Sequence, residues 1–181
     1  MPVGCNVGPA PAAGAGLVEV AVALLLISLA TIGLAGLQIS AKALGHEAIQ
    51  LDRAVELASG LLERMRVNRG GLPAYADASI AIASGESPGK PPGNCDHQPC
   101  SGAQMSAWDL WTWRRALAGA GLVNAAGCVA IDKRLVTVQI TWEGRYALAG
   151  PAADNGCGSE RVGEVQGRRR SVGFTAFVGE F

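Results

Sequence analysis

The chain has 181 residues, 49% of them hydrophobic, with 15 basic and 15 acidic side chains and a formal net charge of zero. That length suits one domain with an appendage, and the balanced charge removes any electrostatic case for nucleic-acid binding. The 25 glycines and 9 prolines gather outside the helix-compatible stretches, which points to a loop-rich second half.

The first 14 residues, Met1 to Gly14, contain no Lys or Arg. A secretory signal peptide would begin with a basic segment and continue with a short apolar one, so this leader is of another kind. From Val20 to Ala41 no residue is charged. A run of that length can cross a bilayer core, which takes roughly 20 residues of helix. Glu19 stands alone at its head, where a carboxylate is costly in lipid unless something neutralises it. A membrane anchor with a glutamate reaching back to the interface is one reading. It does not account for an acid placed five residues after a glycine.

The stretch Gly14-Ala-Gly-Leu-Val-Glu19-Val-Ala-Val-Ala-Leu resembles the type III signal of type IV prepilins: a short leader ending in glycine, then a glutamate as fifth residue of the mature chain. The resemblance implies that a prepilin peptidase cuts between Gly14 and Ala15 on the cytoplasmic face and methylates the new N-terminus, Ala15. It also implies an assembly role for Glu19. In a low-dielectric bundle of helices, a free α-amine and the carboxylate of a neighbouring subunit compensate each other better than either is solvated alone. Pairing then rewards docking in one axial register.

No proline falls between Pro11 and Pro73, so the helix can continue past the apolar run. Leu44, Ala48, Leu51, Val55, Ala58, Leu62 and Met65 recur at alternating spacings of four and three, which predicts one apolar stripe. Asn68-Arg-Gly-Gly followed by Pro73 ends the pattern with a basic last turn, glycine and proline. A helix from about Leu17 to Asn68 would be roughly 75–80 Å long at about 1.5 Å per residue. Gly33 and Gly36 inside the apolar half permit close helix approach or local bending. His46 reads as a polar position on this helix.

The segments Ser28-Leu-Ala-Thr-Ile-Gly-Leu-Ala-Gly-Leu-Gln38 and Ala58-Ser-Gly-Leu-Leu-Glu-Arg-Met-Arg-Val-Asn-Arg-Gly70 look like those of the PilV-type minor pilins, also called type IV pilus modification proteins. Arg64, Arg66 and Arg69 either grip head carbonyls or carboxylates near the helix end, where cations suit the helix dipole, or form a solvated basic face.

Leu72 to Pro99 has the composition of an irregular connection. Cys5 lies in the leader, and four cysteines follow the apolar run: Cys95, Cys100, Cys128 and Cys157. In an oxidising compartment disulfides are the default, and four cysteines allow three pairings. Cys95 with Cys100, and Cys128 with Cys157, is the preferred one because the first two are close in sequence. A metal reading of Cys95, His97 and Cys100 lacks a fourth ligand. Ser106-Ala-Trp-Asp109 matches a capping box and predicts a helix over Ala107–Ala118, with Leu110, Trp113 and Leu117 inward. Trp108 and Trp111 fall partly off that face, either as core or as a subunit contact.

Val129–Ile131, Leu135–Trp142 and Ser171–Val178 alternate as strands. Val136, Val138, Ile140 and Trp142 share one face of the second, and Val172, Phe174, Ala176 and Val178 one face of the third. Arg168-Arg-Arg170 reads as a solvated turn, with a partner contact as the alternative. The apolar face of such a sheet would take the helix stripe as its partner.

These readings give an α+β, pilin-like fold. Residues 1–14 form a leader, 15–41 the transmembrane or filament-core half of the helix, 42–69 its amphipathic half, and 70–181 a periplasmic head. No nucleophile–base set, phosphate loop, metal site or cofactor motif is apparent, so a structural protein is expected rather than an enzyme. The resemblance implies a minor pilin of a type IV pilus that primes assembly at or near the tip and supports motility and adhesion. The chain would sit in the inner membrane as a single-pass protein and then in the pilus. Its partners would be other minor pilins, the major pilin, the prepilin peptidase, the inner-membrane assembly platform and lipid. The alternatives are a minor pseudopilin of type II secretion and a single-pass anchored periplasmic enzyme or binding module.

Overall fold

The computed structural model describes residues 16–76, 78–82, 89–90, 92–145, 156–158 and 168–179. Its elements run α1 (Leu17–Val67), a 3-10 helix (Arg69–Tyr75), β1 (Ser79–Ala81), α2 (Gly102–Gly119), β2 (Val123–Asp132), β3 (Leu135–Glu143) and β4 (Arg169–Phe177). This is the expected α+β arrangement, a long N-terminal helix packed on an antiparallel sheet. The chain divides into two compact units, Met1–Leu44 and Gly45–Phe181.

In the first unit the described residues are Gly16 and those of α1, and nearly all of them are exposed. The α-helix runs without interruption through Gly33 and Gly36. A Cβ added at either glycine would meet nothing, so no contact among the described residues requires them.

The second unit holds the core. Its four strands lie in the order β1-β2-β3-β4, every neighbour antiparallel. The period-two pattern of β3 puts alternate side chains on one face, and Val136, Val138, Ile140 and Trp142 are buried there as expected. Val172, Phe174 and Ala176 of β4 pack on the same core, and Val178 beyond it is buried. Against this face lie Ala54, Ala58, Leu61, Leu62 and Met65 of α1. Trp113 of α2 packs beside them, and a Cβ at Gly127 of β2 would stand 2.3 Å from the Trp113 ring. Any side chain at that position would collide with the indole, so the strand carries glycine there.

Four expectations are corrected. The buried face of α1 is Gln50, Ala54, Ala58, Leu61, Leu62 and Met65, while Leu44 and Leu51 are exposed, as is Ala48. A stripe of alternating fours and threes has a period of about 3.5, whereas a straight helix turns every 3.6 residues or so. Traced back from Met65, the true period lands on Ala54 and Gln50, and the predicted stripe swings into solvent. The cap of α2 is Ser101, whose hydroxyl accepts from the Gln104 amide while the Gln104 side chain accepts from the Ser101 amide. Ser106 and Asp109 instead lie inside the helix and are buried. Within the stretch read as irregular, Ser79–Ala81 pairs with β2 at Cys128, Gly127 and Ala126. A three-residue strand carries too little alternation to be seen in sequence. Finally, Arg169 and Arg170 belong to β4 rather than to a solvated turn.

Candidate assembly interface

The described part of the first unit is an apolar rod. α1 is long and apolar enough to cross a membrane, and its apolar stretch is not buried within the structure. Leu24, Leu25, Leu26, Ile27 and Leu29 are each about 60% exposed, which in water would leave a large uncompensated apolar surface. The hydroxyl side chains of the segment are served by the helix itself. Ser28 donates to the Leu25 carbonyl at 2.7 Å, Thr31 to Ser28 at 2.8 Å and Ser40 to Gly36 at 3.2 Å. Such internal bonds are what a surface without water requires.

Glu19 occupies the first turn of α1, and its backbone amide donates to Gly16 at 2.9 Å. The positive end of the helix dipole favours an acid there. Its carboxylate has no partner among the described residues. Gly14 and Ala15, the expected cleavage and methylation positions, lie outside the described residues, as does Cys5.

In the second unit a polar cluster closes the C-terminal end of α1. Asn68 Nδ2 lies 2.8 Å from the Gly102 carbonyl, 3.0 Å from Ser106 Oγ and 3.2 Å from Tyr75 Oη. Tyr75, fully buried, donates to Asp109. Burial, reinforced by that bond, pushes the Tyr75 hydroxyl up to about 12. Arg64 Nη1 reaches Asp109 Oδ1 and Thr112 Oγ1, both at 3.0 Å. The Ser106 hydroxyl lies 2.9 Å from the carbonyls of Gly71 and Gly102. A Cβ at Gly71 would stand 2.4 Å from the Gly102 oxygen, so the chain passes there only as glycine.

The basic run at the end of α1 therefore divides. Arg64 grips a head carboxylate, Arg66 pairs with Glu63 along the helix, and Arg69 Nε donates to the Arg66 carbonyl at 3.3 Å. Arg53 donates to the Ala120 carbonyl at 2.7 Å, a cation at the C-terminal end of α2 where the dipole favours it. On β4, Arg169 Nη2 donates to Thr141 Oγ1 at 2.6 Å and to the Cys157 carbonyl at 3.2 Å, and burial lowers its pKa. Arg170 pairs with Glu47 of α1 at 3.3 Å, and Arg168 with Glu143 at 3.6 Å.

Cys95 is bonded to Cys100, and Cys128 to Cys157. The first bond joins the two sulfurs of the metal reading, which leaves His97 without thiolate neighbours to share an ion. Trp113 is buried and its indole N–H donates to the Leu57 carbonyl at 3.0 Å. Trp108 and Trp111 are half-buried and stacked, centroids 5.2 Å apart. The Trp111 N–H donates to Gly89, and the Arg115 guanidinium lies 5.7 Å from its ring centroid.

Sequence reasoning missed the Asn68–Tyr75–Ser106–Asp109 cluster. Its signal was present: Ser106 and Asp109 precede Trp113 and Leu117 at helical spacing, so the inward face of α2 opens with polar residues.

Residues 36–111 match a family model, Tt1218-like, described as Type IV pilin Tt1218. The match covers less than half of the chain. It supports a type IV pilin and points to a structural protein rather than an enzyme. No curated protein matches the chain, and no solved structure does.

Proposed function

We propose that the chain is a minor pilin of a type IV pilus, related to the PilV-type proteins. It would be processed between Gly14 and Ala15, held in the inner membrane by the first half of α1 with its head in the periplasm, and built into a minor-pilin complex at or near the pilus tip. The observation that carries the reading is the apolar segment of α1. It is exposed along its length, begins with a lone acid, and leads without a break into the helix on which an α+β head is built. Such a segment gains by packing against like segments in lipid or in a filament core. The family match over residues 36–111 supports the pilin part of the reading.

In this reading the work is packing rather than chemistry in a pocket. The other minor pilins and the major pilin supply the partner helices, the prepilin peptidase and the inner-membrane platform act on the chain before assembly, and motility and adhesion follow from the pilus. Mass spectrometry of the protein purified from membranes tests the processing. The expected N-terminus is methylated Ala15; a chain retaining its leader, or cut elsewhere, overturns the prepilin reading.

A further inference from the structure

One cavity of the head is used by nothing described above. It holds about 360 Å³ and is lined by His46 and Gln50 of α1, the glycines 121 and 144, and Val123, Glu143, Arg145 and Arg168. Its volume is at the lower end of the range of small-ligand sites. Gln50 is 4% exposed, and its buried Oε1 has no hydrogen-bond partner among the described residues. A buried acceptor without a partner is destabilising, and most such groups in native proteins are satisfied. A glutamine held at that cost beside a cavity needs a donor.

The charges around it are unequal. Glu143 is already engaged, with Oε1 toward Arg168 at 3.6 Å and Oε2 accepting from Asn124 at 2.9 Å. Glu47, on the neighbouring turn of α1, is engaged as well, accepting from the Arg145 amide at 3.2 Å and pairing with Arg170. That bond holds the Arg145 backbone in place, while the Arg145 guanidinium and the His46 ring have no partner among the described residues. The lining thus offers one committed carboxylate, an open guanidinium, an imidazole and a buried acceptor.

The geometry points to a binding site for a carboxylate that carries an N–H or O–H donor beside it. The carboxylate would lie on Arg145, whose planar fork suits it, and the donor would meet Gln50 Oε1. Two sources share this chemistry: an acidic residue on the backbone of another protein chain, and a free amino acid. The assignment rests on the head alone and does not depend on the pilus reading.

The full chain in detergent micelles, labelled with nitrogen-15, tests it by NMR of the Gln50 and Arg145 side chains. The probes are a tetrapeptide blocked at both ends with one central glutamate, its glutamine counterpart, and free glutamate. The glutamate peptide should give saturable shifts, and its glutamine counterpart should bind about tenfold more weakly, the equivalent of one charge-assisted hydrogen bond. Arg145→Ala should weaken binding by a similar factor. Gln50→Leu should weaken binding while raising the thermal midpoint of the unliganded protein, because it removes the orphaned acceptor. Free glutamate binding as tightly as the peptide identifies a small acid as the ligand; saturation by the peptide alone identifies an acidic segment. The inference is overturned if the charged and neutral peptides shift the resonances alike, if no probe saturates, or if both variants bind as the wild type does.

Discussion

Tyr75 and Asp109 show at the level of single residues how the head is locked to α1. Asp109 is buried yet accepts from Tyr75 and Arg64, so its charge is compensated from two other elements. Tyr75→Phe removes the donor and leaves one carboxylate oxygen without it, at an expected cost of about 1.5–3 kcal/mol. The pH dependence follows from the raised hydroxyl. Its folded value of about 12 exceeds the unfolded value of about 10, so folding favours the protonated form. The stability this gives is fully present below about pH 10 and is lost as pH rises through about 12. In urea melts, the gap between wild type and Tyr75→Phe should hold steady at neutral pH and narrow across that alkaline window. The sequence shows polar residues on the inward face of α2 but not what they meet, and by spacing Ser106 and Asp109 match a capping box. Their partners lie 34 to 45 residues away along the chain, and no local pattern encodes such a meeting.

Elements of strong periodicity were legible. α1 extends over the expected range and ends where glycine and proline follow, and the inner faces of β3 and β4 are those their alternation predicts. What failed was phase and brevity: the buried face of α1 drifted off a stripe drawn at too short a period, and β1 is only three residues long. Covalent links between elements can be ranked. The bond between Cys128 on β2 and Cys157 spans 29 residues, and that between Cys95 and Cys100 spans 5. A chain-entropy estimate gives about 3–4 kcal/mol for the longer loop and about 2 for the shorter. Replacing Cys128 and Cys157 together by alanine should therefore lower the denaturant midpoint more than replacing Cys95 and Cys100. Equal losses would mean that the loop-closure argument does not describe this head.

For the molecule as a whole, composition and pattern divide the chain into an apolar run and a remainder with strand-like alternation, and the structure has two compact units, Met1–Leu44 and Gly45–Phe181. The proposed assembly role of Glu19 rests on its spacing from Gly14, and its carboxylate has no partner among the described residues. In the proposed filament, Glu19→Ala would leave a neighbour's amine unpaired, a penalty of about 3–5 kcal/mol where the site is buried. The variant should reach the membrane fraction in normal amount and be depleted from sheared pili. Wild-type amounts in the sheared fraction would count against the register role.

In the proposed reading the head is carried across the inner membrane from its N-terminal side, and the order β1-β2-β3-β4 bears on that passage. Each strand pairs with the one that emerged before it, so no later strand has to wedge between two already joined. The sheet can grow from one margin while the remainder is still being threaded through. One step is held back: β4 and the buried Val178 complete the core, so a chain stalled before them presents β3 as an open edge.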